Sequence, residues 1–216
     1  MVTTIVHLLR HGEVHNPGRV LYGRLDGYHL SERGQEMARI VAKTLADQGR
    51  DVVAVTASPL QRAQETAAPI AAAFGLATGT DARLLEAGNR FEGTTVGARP
   101  WQLLNPRWWA LVRNPFLPSW GEPYREQAER MQAAVDAART AHPGHEVVLV
   151  SHQLPIWVTR LAYENKHLWH DPRNRRCTLA SLTSLNFDED GLVGIEYSEP
   201  AGHLAQSLSR GAWSVK

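Results

Sequence analysis

Four side chains with the chemistry of an anion site stand just past the ends of three apolar runs in this 216-residue sequence. "TTIVHLL" (3–9) leads into Arg10-His11-Gly12, "DVVAVTASP" (51–59) into Leu60-Gln61-Arg62, and "HEVVLVSH" (145–152) closes on Ser151-His152 before Gln153. Burying a guanidinium beside an imidazole is costly unless an anion pairs with them. Guanidinium forks match phosphate oxygens bidentately, and amides at helix starts add further donors. Taken singly, a strand-end histidine is most often structural, and Arg62 reads as a solvated helix residue. Taken together, two arginines and two histidines at three strand ends call for an anion with several oxygens.

The elements that must position these groups follow from periodicity. The three apolar runs are short, β-branched and bounded by turn residues, as buried strands are; the run at 145–152 is continuous enough for a central one. "LSERGQEMARIVAKTLADQG" (30–49) carries a Ser31 cap, apolar Met37, Val41 and Leu45 at helical spacing, and a terminal glycine. Residues 60–75, 124–142 and 154–163 also read as helices, and 178–198 alternates around an Asp-Gly turn as a hairpin. Strands alternating with helices predict a three-layer α/β/α domain with a mainly parallel central sheet and an antiparallel edge strand. Ligands of such sheets bind beyond the carboxyl ends of the strands, where the four groups fall. Residues 94–122, rich in Pro and Trp and without a sustained period, read as a lid inserted into this single domain (1–216). The last dozen residues read as a loose tail.

Composition narrows the class. With 43% hydrophobic and 21% charged residues, the chain is that of an ordinary globular protein. A formal charge of +1 without long runs of one sign gives no reason to expect nucleic acid or an anionic membrane as partner. The N-terminus lacks the pattern of a signal peptide, and no stretch reaches eighteen apolar residues. The single Cys177 suits a reducing cytoplasm. No phosphate-binding glycine loop or metal-ligand spacing is present, so neither a nucleotide cofactor nor a metal is expected.

Four segments, "LLRHGE" (8–13), "SPLQRAQETA" (58–67), "LLEAGNRFEG" (84–93) and "VVLVSH" (147–152), together resemble the histidine phosphatase superfamily, the phosphoglycerate mutase-like proteins of the RHG branch. RHG alone is a weak match, but four motifs in this order are highly specific. The resemblance implies that His11 is a nucleophile forming a phosphohistidine, with Arg10, Arg62 and His152 around the transferring phosphoryl. Such a role is chemically reasonable: a neutral imidazole is nucleophilic near pH 7 when one ring nitrogen keeps its lone pair and the other is held by a hydrogen bond. Asn16 matches a family position that helps hold the phosphate, one residue nearer the histidine than in the mutases. Gly23 and Gln153 join the phosphate- and substrate-binding set. The family's proton donor falls on Glu86, with Glu92 and Glu13 as rivals; "FEG" is similar to a structural W-E-G of the family, which would make Glu92 a turn or cap carboxylate.

Other residues have plainer readings. His7 precedes His11 by four, about 13 Å at strand rise, too far to share a metal. His167 with His170 reads as a solvated pair, and Arg175 with Arg176 as a solvated pair or, less commonly for such a pair, as a substrate contact. Four tryptophans (101, 108, 109 and 120) fall within the insert. They either pack a lid or, through Trp108 and Trp109, wall the pocket for an apolar or ring-bearing substrate. Three functions then compete: a phosphomonoesterase acting on a small phosphorylated substrate, a mutase, and a phosphate binder without turnover. A binder has no need of the Glu86 acid. "EAGNRFEG" stands where the cofactor-dependent mutases have "ERHYG", and the insert has scattered Arg99, Arg107 and Arg113 in place of paired arginines. The expectation is therefore a phosphatase, with a homodimer left open.

Overall fold

A computed structural model of the chain describes residues 3–96, 101, 105–106, 109 and 120–204. Among them, strands β1 (Thr4–Arg10), β2 (Val52–Ala57), β3 (Thr78–Thr80), β4 (Glu146–Ser151), β5 (Leu182–Phe187) and β6 (Leu192–Ser198) form one sheet in the order β3-β2-β4-β1-β5-β6. β1, β2, β3 and β4 run parallel; β5 pairs antiparallel with β1, and β6 closes the edge antiparallel to β5. The hairpin turns at Gly191, whose φ of 139° suits a residue without a side chain. β3 was not expected: three residues centred on Gly79 are too few to show a period.

Helices α1 (Glu32–Asp47) and α2 (Gln61–Ala73) cover one face of the sheet, and α3 (Tyr124–Ala141) and α4 (Gln153–Tyr163) the other. Alternation along β1 divides the core. Leu9 packs with Met37, Val41 and Ile70 on the α1/α2 side, while Val6 and Leu8 pack with Met131, Val135 and Ile156 on the α3/α4 side. Ser31 caps α1 as expected, its hydroxyl accepting from the Gly34 N–H at 3.0 Å. This is a mixed, mostly parallel sheet in a three-layer α/β/α arrangement.

His7 is buried midway along β1. Its Nδ1 lies 2.7 Å from Ser184 Oγ and its Nε2 2.8 Å from Glu146 Oε2, so it ties β5 to β4 across β1. No described helix is long and apolar enough to cross a membrane. Most of the inserted segment lies outside the described residues, Trp108 included. Its return is described: Gly121 bridges Asn89, and the Arg90 N–H donates to the Trp120 carbonyl at 2.7 Å.

Candidate active site

The sheet register creates the cluster. Arg10 and Ser151 are paired neighbours on β1 and β4, so the next residues, His11 and His152, leave the sheet side by side. Their rings meet edge to face with centroids 5.1 Å apart. β2 flanks β4 on the other side, which sets Ser58 Oγ 2.9 Å from His152 Nε2. Gly12 answers why a glycine follows the histidine: a Cβ there would stand 2.5 Å from the Gly34 carbonyl oxygen, where α1 begins. Any side chain would push α1 off the loop that carries His11.

Hydrogen bonding fixes which nitrogen of each imidazole can react. The His11 Nδ1–H faces the Gly12 carbonyl at 2.7 Å, which can only accept, so Nε2 keeps its lone pair. His152 Nδ1 lies 3.4 Å from Arg62 Nη2, which can only donate, so its proton sits on Nε2 towards Ser58. Both rings are buried and neutral. Burial first, then the Arg62 and Arg10 charges, hold the His11 imidazole well below 6.5 against the opposing pull of the Gly12 carbonyl. Burial first, then the neighbouring His11 imidazole were it to protonate, and the Arg62, Arg10 and Arg130 charges do the same to His152. A neutral, oriented imidazole at physiological pH is a nucleophile that needs no prior deprotonation.

The arginines are held by carbonyls and keep donors in reserve. Arg10 donates to the Cys177 carbonyl at 2.7 Å and Arg62, itself 1% exposed, to the Gly23 carbonyl at 2.6 Å. The Nε atoms of both are buried without an acceptor in the protein, an arrangement that suits an anion. No carboxylate neutralises either guanidinium among the described residues. A cavity of about 250 Å³ opens here, with Arg10, His11, Tyr22, Gly23, Glu86 and Gln153 in its wall. Burial, the largest influence, raises the Glu86 carboxyl above its ordinary value although the Ala87 N–H and the charges of Arg62, Arg10 and Arg175 oppose it. Its loop is braced from behind: Arg24 Nε donates to the Glu86 carbonyl at 2.6 Å and Arg24 Nη2 to Glu122 at 2.8 Å.

The family model for the histidine phosphatase superfamily (branch 1) matches residues 6–199. The chain belongs to this family. It is 60% identical over 198 residues to an uncharacterised protein of Mycobacterium tuberculosis H37Rv, covering 92% of this chain and 97% of that one. It is 33% identical over 187 residues to a probable phosphoglycerate mutase of Yersinia enterocolitica, covering 82% and 83%. Among solved structures, the mycobacterial glucosyl-3-phosphoglycerate phosphatase superposes with a TM-score of 0.74 at 25% identity, covering 91% and 99%.

Within this histidine phosphatase fold the expected residues separate into three groups. Arg10, His11, Gly23, Glu86 and Gln153 line one cavity, with Arg62 and His152 buried against it. The rival acids are elsewhere. Glu13 is bound to Ser31 and Arg33, and Glu92 fills the space beneath Gly23, where a Cβ would fall 2.2 Å from its Oε1. The Asn16 amide accepts from the Val20 N–H at 3.0 Å and donates to the Val20 carbonyl at 2.8 Å, so it clasps its own loop. Trp109 is 60% exposed. Sequence reasoning missed Tyr22, whose ring sits 4.7 Å from the Arg62 guanidinium in a loop without a regular element to announce it. Arg175, read first as half of a solvated pair, lines the cavity.

Two neutral buried imidazoles have a consequence for stability. The unfolded chain takes up protons at His11 and His152 near the ordinary 6.5, while the folded chain resists to a lower pH. Their contribution is therefore full above about pH 6.5 and lost as pH falls towards the depressed folded values, at up to about 1.4 kcal/mol per pH unit for each ring. Urea midpoints between pH 7.5 and 5.5 should fall with pH, and less steeply in His152→Gln. An equal slope in the variant would show that His152 is not held neutral.

Proposed function

We propose that the protein is a phosphomonoesterase that hydrolyses a small phosphorylated metabolite through a phosphohistidine on His11. The observation that carries this reading is the tautomer of His11: with Nδ1 committed to Gly12, Nε2 is the nitrogen left to attack. In the first step Nε2 forms a bond to phosphorus as the bond to the ester oxygen breaks, and the Glu86 carboxyl protonates that leaving oxygen. Arg10 and Arg62 stabilise the charge on the equatorial oxygens, and His152, which accepts from Arg62 and donates to Ser58, holds the Arg62 guanidinium in place. In the second step water attacks phosphorus, its proton returns to Glu86, and the electron pair of the N–P bond returns to Nε2 as orthophosphate leaves. Protons and electrons balance over the cycle.

Water is favoured over a returning alcohol as the acceptor because "EAGNRFEG" stands where the cofactor-dependent mutases have "ERHYG", and the insert has scattered arginines in place of a paired set. The similarity to a phosphatase of comparable fold supports the reading, and that to a probable mutase names its competitor. A panel of phosphorylated metabolites, scored for orthophosphate release against isomerisation of 3-phosphoglycerate, tests it. Release is expected, with turnover unchanged in EDTA because the basic cluster supplies the positive charge. Isomerisation without release, or activity lost in EDTA and restored by magnesium or zinc, would overturn the corresponding part.

A further inference from the structure

We propose that Arg175 selects substrates whose leaving group carries a second negative charge, and that neutral His170 holds Arg175 in position to do so. The inference rests on the phosphatase reading above. Arg175 lines the same cavity as Arg10, His11 and Glu86. A phosphoryl group bound at Arg10 and His11 therefore leaves Arg175 to meet the departing part of the substrate. The segment is fixed to the phosphoryl end through Cys177, whose carbonyl accepts from Arg10 at 2.7 Å and from Gln153 at 3.3 Å.

The guanidinium is held by one edge. Arg175 Nε donates to His170 Nε2 at 2.8 Å, and His170 Nδ1 in turn donates to the Leu168 carbonyl at 2.7 Å. That chain requires a neutral imidazole with its proton on Nδ1. No carboxylate pairs with Arg175 among the described residues, since the nearby Asp171 is engaged by Arg173 at 2.7 Å. The terminal nitrogens remain as donors with the geometry for a carboxylate or phosphate. Tyr124 and Trp157 pack on the His170 ring, with centroids 5.5 and 6.0 Å away. The charged and titratable groups facing this pair are thus Tyr124, Asp171, Glu86, Arg10 and Cys177. Burial and the Arg175 charge keep His170 below its ordinary value against the Leu168 carbonyl and Asp171. When His170 does take up a proton, Nε2 ceases to accept and becomes a cation beside a cation, so Arg175 loses its hold.

The test compares matched substrates on each preparation: 3-phosphoglycerate against glycerol 3-phosphate, which differ by a carboxylate, and 1,3-propanediol bisphosphate against its monophosphate. A ratio of kcat/KM values on one sample is independent of the fraction folded, so partial misfolding cannot mimic the result. The wild type should prefer the doubly anionic member of at least one pair by about 10–100-fold, the scale of a charge-assisted hydrogen bond. The pair that shows it identifies carboxylate or phosphate as the group read. In Arg175→Met the ratio should collapse towards unity, mainly through KM. The wild-type ratio should also fall as pH drops below 6.5, whereas His170→Gln, which keeps an acceptor without a titrating proton, should hold its ratio across that range. The pH arm is read on the carboxylate pair, because the second phosphate of the bisphosphate itself titrates at about pH 6. Effects of pH on His11 and on the reacting phosphate are shared by both members of that pair and cancel. A wild type without preference, or a preference that survives Arg175→Met, would overturn the role of Arg175. A pH dependence that persists in His170→Gln would overturn that of His170. Absence of phosphate release from every substrate would instead sink the phosphatase reading, and this inference with it.

Discussion

His11→Ala should lose phosphate release by about 10⁴-fold or more, the scale on which removal of a covalent nucleophile is felt. The expectation follows from how few alternatives the site offers. His152, the neighbouring imidazole, has its Nε2 proton directed to Ser58 and its Nδ1 turned to Arg62, so it has no free lone pair aimed at a phosphorus atom. The loss should not come from unfolding. The His11 ring makes one side-chain hydrogen bond, to the adjacent carbonyl, while the loop around it is held by backbone bonds from His11 to Ser151 and from Ala180 to His11. Circular dichroism and a urea midpoint near the wild-type value would establish that. The direct measurement is transfer of labelled phosphoryl from substrate to protein in a single turnover. Wild type should carry label that is stable in base and labile in acid, and His11→Ala should carry none. Near-normal release by the variant would mean that water attacks the ester directly and that His11 serves only to bind.

The cluster at the strand ends was legible because it lies at the junction of two clear patterns. Continuous apolar runs mark strands, and an abrupt change to Arg10-His11 or Ser151-His152 marks where they end; the parallel register then brings separate ends together. Glu86 was reachable through its motif, and the structure separates it from Glu92 by an observation no sequence contains, the Glu92 side chain wedged beneath Gly23. What was not legible sits where chain direction is set by tertiary contacts. Tyr22 lies in a loop without period, and Arg175 follows a single turn of 3-10 helix, so nothing local distinguishes it from the exposed Arg176 beside it. His170 likewise read as solvated, yet it is bonded through both ring nitrogens. The bonds of the Asn16 amide to Val20, four residues on, were not legible either. Short polar side chains satisfy nearby backbone readily, and no spacing rule foresees which partner wins.

Glu86→Gln should discriminate between leaving groups more sharply than any other substitution in the site. A general acid matters in proportion to how badly the departing oxygen needs a proton. An alkoxide needs one in the transition state; p-nitrophenolate is a stable anion at neutral pH and hardly does. Burial raises the Glu86 carboxyl above its ordinary value and lowers the His11 imidazole below its own, so the two shifts move the acid and the neutral nucleophile towards a shared pH range. Removing the proton while keeping the side chain's size should slow phosphoryl transfer from an alkyl phosphate by about 10²–10⁴-fold, the usual contribution of general acid catalysis. Transfer from p-nitrophenyl phosphate should fall far less in the same step. Single-turnover phosphohistidine formation is the right measurement, because it excludes the second half-reaction, where Glu86 would act as the base for water with every substrate alike. Glu92→Gln and Glu13→Gln are the controls and should show no dependence on leaving group, since neither lines the cavity. A selective loss in Glu92→Gln but not in Glu86→Gln would reassign the acid. No selective loss in any of the three would mean that the proton comes from another residue or from water, and the raised Glu86 carboxyl would then have no part in breaking the ester bond.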